Sequence, residues 1–250
     1  MFIPGTPLLK LLGFFPRLTT LSLDYNLIGP LRDPIDHRGG GGGTGNESGG
    51  GERETDRSGV AAGQSQVADN ELGAFLNSMP QLKLLSLNRN PLSTFDNVLH
   101  VNTTLKYLSL AKAELLSIPS PLPQSLVVLV LSDNDIRTIP RDALKGLSNL
   151  ELLILSGNKI TLIAPGAFED LTSLRRLDLD GNRLTALLNG TFDGFGSLQQ
   201  LSLASNRFQR PLNSRLFRDL VNLNALDVSS CSLDSFDPRI IPSPALMHHL

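Results

Sequence analysis

The chain has 250 residues, of which 40% are hydrophobic, enough to bury a sizeable core; only 5% are aromatic and none is Trp, so that core must be aliphatic. Lys plus Arg number 22 against 24 Asp plus Glu, a net charge of -2, and that balance excludes a protein built on clustered cations for binding polyanions such as nucleic acid. The single cysteine, Cys231, excludes an intramolecular disulfide and a thiolate zinc site, and no apolar run reaches the roughly 18–20 residues of a membrane span.

The opening stretch, Met1 to Phe15, is apolar but makes a poor secretory leader. It lacks a basic start, is broken by Pro4 and Pro7, and has no small-residue cleavage site. Leu12 and Phe15 lie six and three residues before Leu18, a spacing that recurs further along the chain. At Leu18 an eleven-residue pattern begins: apolar residues at positions one, four, six and eleven, with Asn at position nine. Copies start at Leu18, Leu82, Leu105, Leu126, Leu150, Leu174, Leu198 and Leu223, in steps of 64, 23, 21, 24, 24, 24 and 25 residues.

Only the first step is anomalous, and its excess of about 40 residues over the repeat period lies at Asp33 to Asn70. This segment carries Gly39 to Gly43 and Gly49 to Gly51 among polar residues. Such composition cannot bury enough surface to offset its ordering entropy, so a disordered loop is expected. The glycines lack the lysine of a phosphate-binding loop.

From Leu82 onward the units follow without interruption. Alternation about positions four and six predicts a short strand with one buried face. One strand per unit, repeated, predicts a parallel sheet along a stack of coils. Asn26, Asn90, Asn134, Asn158, Asn182 and Asn206 fill position nine, where an amide can both donate to and accept from backbone at the turn. Ala113 breaks this ladder and is expected to weaken it; Cys231 takes the same slot in the last full unit. The pairs Leu144/Leu147, Phe168/Leu171, Phe192/Phe195 and Phe217/Leu220 predict an apolar spine on the opposite side. At the end, a step of 24 from Leu223 falls on Met247 and predicts an unfinished ninth unit. Both ends thus stop inside a repeat, as in a fragment, and uncapped coils are expected to self-associate.

The motif Leu150-x-x-Leu153-x-Leu155-x-x-Asn158-x-Ile160 and its seven other copies resemble the leucine-rich-repeat family. The run of 24-residue units with a Phe on the far side, as in Ala167-Phe168-Glu-Asp-Leu171, is similar to the extracellular subclass of adhesion proteins, matrix proteins and Toll-like receptor ectodomains. The resemblance implies a single α/β solenoid over 1–250: a curved stack with a parallel concave β-sheet and an irregular or short-helical convex side. It also implies a non-catalytic recognition module for a protein or glycan-bearing partner, extracellular or at the cell surface. The lone cysteine and missing leader point instead to an intracellular scaffold. A third reading is the recognition arm of an enzyme whose catalytic domain lies outside this chain.

Residues suited to chemistry are few. His37, His100, His248 and His249 lack metal-ligand spacing, and no cofactor is expected. The segment Ile118-Pro-Ser-Pro-Leu-Pro-Gln-Ser-Leu126 resembles repeats of bacterial leucine-rich-repeat ubiquitin ligases, and equally those of small leucine-rich proteoglycans. In those ligases the catalytic cysteine lies in a separate helical domain, so Cys231 is read as structural. Asn46, Asn102 and Asn189 open N-glycosylation sequons. Outward positions three and five place Leu84, Tyr107, Val128, Val130, Leu152 and Ile154 together on the concave face. Arg175, Arg176, Asp178, Asp180 and Arg183 follow. An exposed apolar patch with a charged rim predicts the partner-binding surface.

Overall fold

In the computed structural model, residues 17–26, 72–76, 78–93, 95–99, 104–233 and 246–247 are described. The long insertion, the apolar opening, Asn46, Asn102 and all four histidines lie outside them. A parallel nine-stranded sheet runs through the molecule. Its strands are β1 (Thr20–Ser22), β2 (Leu84–Ser86), β3 (Tyr107–Ser109), β4 (Val128–Val130), β6 (Leu152–Ile154), β8 (Arg176–Asp178), β9 (Gln200–Ser202), β10 (Ala225–Asp227) and β11 (Leu246–Met247). A second, two-stranded sheet pairs β5 (Thr138–Ile139) with β7 (Leu162–Ile163) in the ascending halves of two successive coils. The molecule is therefore a solenoid in which each coil contributes one strand of two or three residues to the main sheet.

The register follows the repeat. Leu85, Leu108, Leu129, Leu153, Leu177 and Leu201 stand beside one another at position four, on neighbouring strands, and all are buried. β1 pairs directly with β2, Leu21 beside Leu85. The strands on either side of the insertion are therefore neighbours in the sheet. At the other end the expected register fails. Leu246 pairs with Ala225 and Met247 with Leu226, so Met247 takes position four of its unit and not position one. The last step is 21 residues, like the step between Leu105 and Leu126.

Opposite the sheet, the coil is closed mainly by turns, with short helices at 72–76 and Ser214–Phe217. The spine is aromatic where the sequence supplies Phe: Phe168 and Phe195 stack at 5.3 Å between ring centroids, and Phe192 lies 6.1 Å from Phe195 and 6.2 Å from Phe217. Such spacings are in the favourable range for aromatic pairs. Leu144, Leu147, Leu171 and Leu220 complete the spine, all buried.

Each coil leaves its strand through a residue in the left-handed region at position eight. Tyr25, Arg89, Lys112, Asp133, Ser205 and Ser230 all have φ between 55° and 63°, and Gly157 and Gly181 have φ of 69° and 64°. Only the two glycines adopt this conformation without strain. It turns the chain so that the position-nine side chain points inward.

Candidate functional site

The inward asparagines form a ladder. Nδ2 of Asn158 donates to the carbonyls of Leu131 (2.8 Å) and Leu155 (3.0 Å), joining two coils, and its Oδ1 accepts from the Ile136 amide (3.2 Å). Asn182 and Asn206 repeat this one and two coils on. Asn90 donates to Leu23 and Leu87, and Asn134 to Leu110 and Leu131. Asn26, half-buried at the first described coil, donates to the Asp24 carbonyl, while its amide donates to Asn90 Oδ1.

The break at Ala113 is smaller than the sequence suggests. The Leu92 amide, which an Asn there would accept, donates to the Ala113 carbonyl instead (3.0 Å). The same substitution occurs at Cys231, whose carbonyl accepts from the Phe208 amide (3.1 Å). The Cys231 thiol itself donates to the Leu203 carbonyl at 2.9 Å. Burial pushes this thiol up, against a lowering contribution from the Asn206 backbone, and the charges of Asp227 and Asp180 push it further. A buried, protonated thiol with a fixed partner is a packing group and a poor nucleophile.

A second ladder, which the repeat pattern does not advertise, lies at position seven on the sheet side. Asp24 Oδ1 accepts from the Ser86 hydroxyl (2.7 Å) and the Asn88 amide (2.8 Å). Asn88 Oδ1 accepts from the Ser109 hydroxyl and the Ala111 amide, both at 2.7 Å. The serines at position five of β2 and β3 are thereby tied down and buried. Above them the Arg89 guanidinium stacks on the exposed ring of Tyr25, 4.8 Å from its centroid.

The middle strands carry no such polar fastening at position five. There Val130 stands beside Ile154, and at position three Val128 stands between Tyr107 and Leu152, with Leu84 beyond Tyr107. The structure brings these six side chains onto one face, but half-buried and not exposed as expected. Neighbouring strands are about 4.8 Å apart, so each side chain shields the next. Among the described residues, the large apolar side chains that are well exposed are others: Tyr25, Leu116, Leu162, Leu188 and Val221.

Beyond this strip the face becomes charged. Arg175 and Arg176 are exposed, Arg175 Nε lying 3.5 Å from Glu151 and Arg176 3.8 Å from Asp178. Asp178 also accepts from the Asp180 amide (3.1 Å). One carboxylate oxygen of Asp180 is buried with no hydrogen-bond partner. A depression of about 370 Å³ opens over β8, β9 and β10, walled by Arg176, Asp178, Gln200, Ser202, Ala225 and Asp227. Gln200, Ser202, Ala225 and Asp227 lie outside the partner-binding patch expected from the sequence, because they are unremarkable until stacked beside the charges. Asn189 is exposed, while the hydroxyl of its sequon partner Thr191 is buried and donates to the Leu188 carbonyl (2.7 Å). Among the described residues no cluster of three His, Cys, Asp or Glu is arranged to hold a metal ion. No helix among them is long and apolar enough to cross a membrane.

The family model for leucine-rich repeats matches residues 124–184 and 172–233. Residues 124–233 are thus leucine-rich repeats. Over 80 residues the chain is 39% identical to keratocan of Danio rerio, a stretch that covers 31% of this chain and 23% of keratocan. Among solved structures it is similar to the TLR13 chain in a TLR13–ssRNA13 complex, with 33% identity and a TM-score of 0.57, covering 61% of this chain and 23% of that one. The chain thus matches about a quarter of the length of either leucine-rich-repeat relative.

Proposed function

We propose that the chain is a non-catalytic recognition module that binds a protein or glycan-bearing partner on the concave face of its sheet, outside the cell or at its surface. The observation that carries this reading is the strip of Tyr107, Val128, Val130, Leu152 and Ile154, contiguous across β3, β4 and β6 and bordered by Arg175, Arg176, Asp178 and Asp180. Elsewhere on this face the position-five side chains are serine or aspartate, so the strip exceeds what strand propensity alone requires. An apolar centre that can be fully desolvated within a charged border is the usual anatomy of an interface, and Tyr and Arg are its common anchors. The likeness to keratocan and to TLR13 supports an extracellular setting. The RNA in the TLR13 complex raises nucleic acid as a ligand class, but Asp178, Asp180 and Asp227 on this face oppose phosphate.

A photo-crosslinking residue placed at Ile154 or, separately, at Lys145 on the convex side tests the reading against an array of secreted and cell-surface ectodomains. The expected result is a specific adduct from position 154 and none from 145. Adducts from 145 with none from 154 would overturn it.

A further inference from the structure

The sheet face is ordered by charge along the stack. Immediately before β2 and β3, at position two of their repeats, stand Lys83 and Lys106, one strand step apart and both exposed. Among the described residues neither takes part in an ion pair, while the other lysines at the faces and turns nearby, Lys112 and Lys159, are matched to Asp133 and Asp135. The centre, on β4 and β6, is apolar. The far end, on β8 to β10, holds the depression, with Asp178 on one wall and Asp227 on the other, separated by Ser202 of β9. Both aspartates spend one oxygen capping a backbone amide two residues on, Asp180 and Ser229 respectively, which fixes the carboxylates in place. Among the described residues that line the depression, Arg176, 3.8 Å from Asp178, is the one cation against the carboxylates of Asp178 and Asp227, so the wall charge is net negative.

We propose that this face reads an extended peptide segment of the partner protein whose acidic end lies over Lys83 and Lys106, whose apolar middle covers Val130 and Ile154, and whose Lys or Arg side chain enters the depression between Asp178 and Asp227. The proposal rests on the concave face being the recognition surface and adds the chemistry and order of what is recognised. From β2 to β10 the sheet advances six strand steps, roughly 29 Å at about 4.8 Å each, which an extended chain spans with about nine residues. The depression, about 370 Å³, accommodates one long basic side chain and not a helix 10–12 Å across. Complementary charges at the two ends fix the direction of the segment, since the reversed sequence would set like charges against each other.

Random twelve-residue peptides displayed on phage and selected on the full chain provide the probe. Enriched peptides should carry Asp or Glu toward one end and Lys or Arg toward the other, about six to eight residues apart, since about four and a half strand steps separate the lysine pair from the centre of the depression. Against the enriched peptides, Lys83→Glu with Lys106→Glu should lose at least tenfold in affinity. Asp178→Asn with Asp227→Asn, which keeps an oxygen for each amide cap, should lose a similar amount, and both losses should shrink in high salt. Melting curves check that each variant is folded. If binding falls with Val130→Glu plus Ile154→Arg but stays within twofold in both charge variants, the charge order is wrong while the concave reading stands. Binding indifferent to all three pairs overturns both. Failure to enrich any peptide overturns the segment proposal, as does a single-stranded RNA oligonucleotide that binds through Lys83 and Lys106 in its place.

Discussion

Replacing Asn182 with Ala and, separately, with Asp separates two contributions of the amide ladder. Asn182 is buried and makes four hydrogen bonds: Nδ2 to Leu155 (2.9 Å), Leu179 (2.9 Å) and Asp180 (3.3 Å), and Oδ1 from the Ile160 amide (3.1 Å). In the Ala variant no group is left wholly unpaired. Leu155 O keeps Asn158, Leu179 O keeps Asn206, and the Ile160 amide can move to the carbonyl of residue 182, as the Leu92 amide does at Ala113. The cost should be about 1–3 kcal/mol. Asp has nearly the same shape but no donor, and its second oxygen faces three carbonyls in a buried site, so the cost at pH 7 should exceed about 3 kcal/mol. Those carbonyls raise the folded-state value of the new carboxyl above its unfolded value of about 3.9. The folded variant then binds the proton more tightly, and its deficit must shrink as pH falls from 7 toward about 4. Urea melts of the three proteins at pH 7 and pH 5 measure this. Equal, pH-independent losses for Ala and Asp would refute the ladder reasoning.

At position eight, a Cβ added to Gly181 would meet only the Gly157 backbone, at 3.6 and 3.7 Å, which is ordinary van der Waals contact. Gly181→Ala should therefore cost only the left-handed strain, about 1–2 kcal/mol, and Ser205→Gly should recover up to about 1 kcal/mol; chemical melts in which both are silent would contradict the turn geometry. Deleting residues 33–70 shortens the connection between β1 and β2 from about 60 residues to about 20, which loop-closure entropy values at only about 1 kcal/mol. Near-unchanged stability is expected, and a loss of several kcal/mol would mean that the insertion packs on the coils. For Cys231, whose thiol is raised by burial, the unfolded chain ionises first, so stability should fall as pH climbs above about 8.5. Cys231→Ala should remove that alkaline slope, and a slope that persists would assign it to other groups.

The features legible in the sequence are those the repeat period enforces. Leu177 and its neighbours at position four are buried because any other facing would expose the whole stripe, and the Phe168–Phe195 spine follows from the same count. The inward amides at Asn158 and Asn182 were readable because few residues both donate and accept at one site. The left-handed turns at Tyr25, Arg89 and Lys112 were not, since ordinary side chains hold them and only Gly157 and Gly181 show the usual mark. The register at Leu246–Met247 is hidden in the sequence because a 21-residue step breaks the 24-residue count, which no local property of Met247 reveals. The half-burial of Val130 and Ile154 was missed because shielding comes from neighbours 24 residues away. For the same reason the depression over Ser202 has no signature in its own segment.

The most direct test of recognition by the concave face is the affinity of a partner identified by cross-linking for the variant Val130→Glu plus Ile154→Arg. These two side chains stand beside each other on β4 and β6 and point away from the core. The control pair is Lys145→Glu plus Val221→Arg on the exposed convex side. The expected outcome is an unchanged circular dichroism spectrum for both, at least a hundredfold weaker binding for the concave pair, and binding within twofold of the native chain for the convex pair. A folded concave variant that binds at native affinity would contradict recognition by this face.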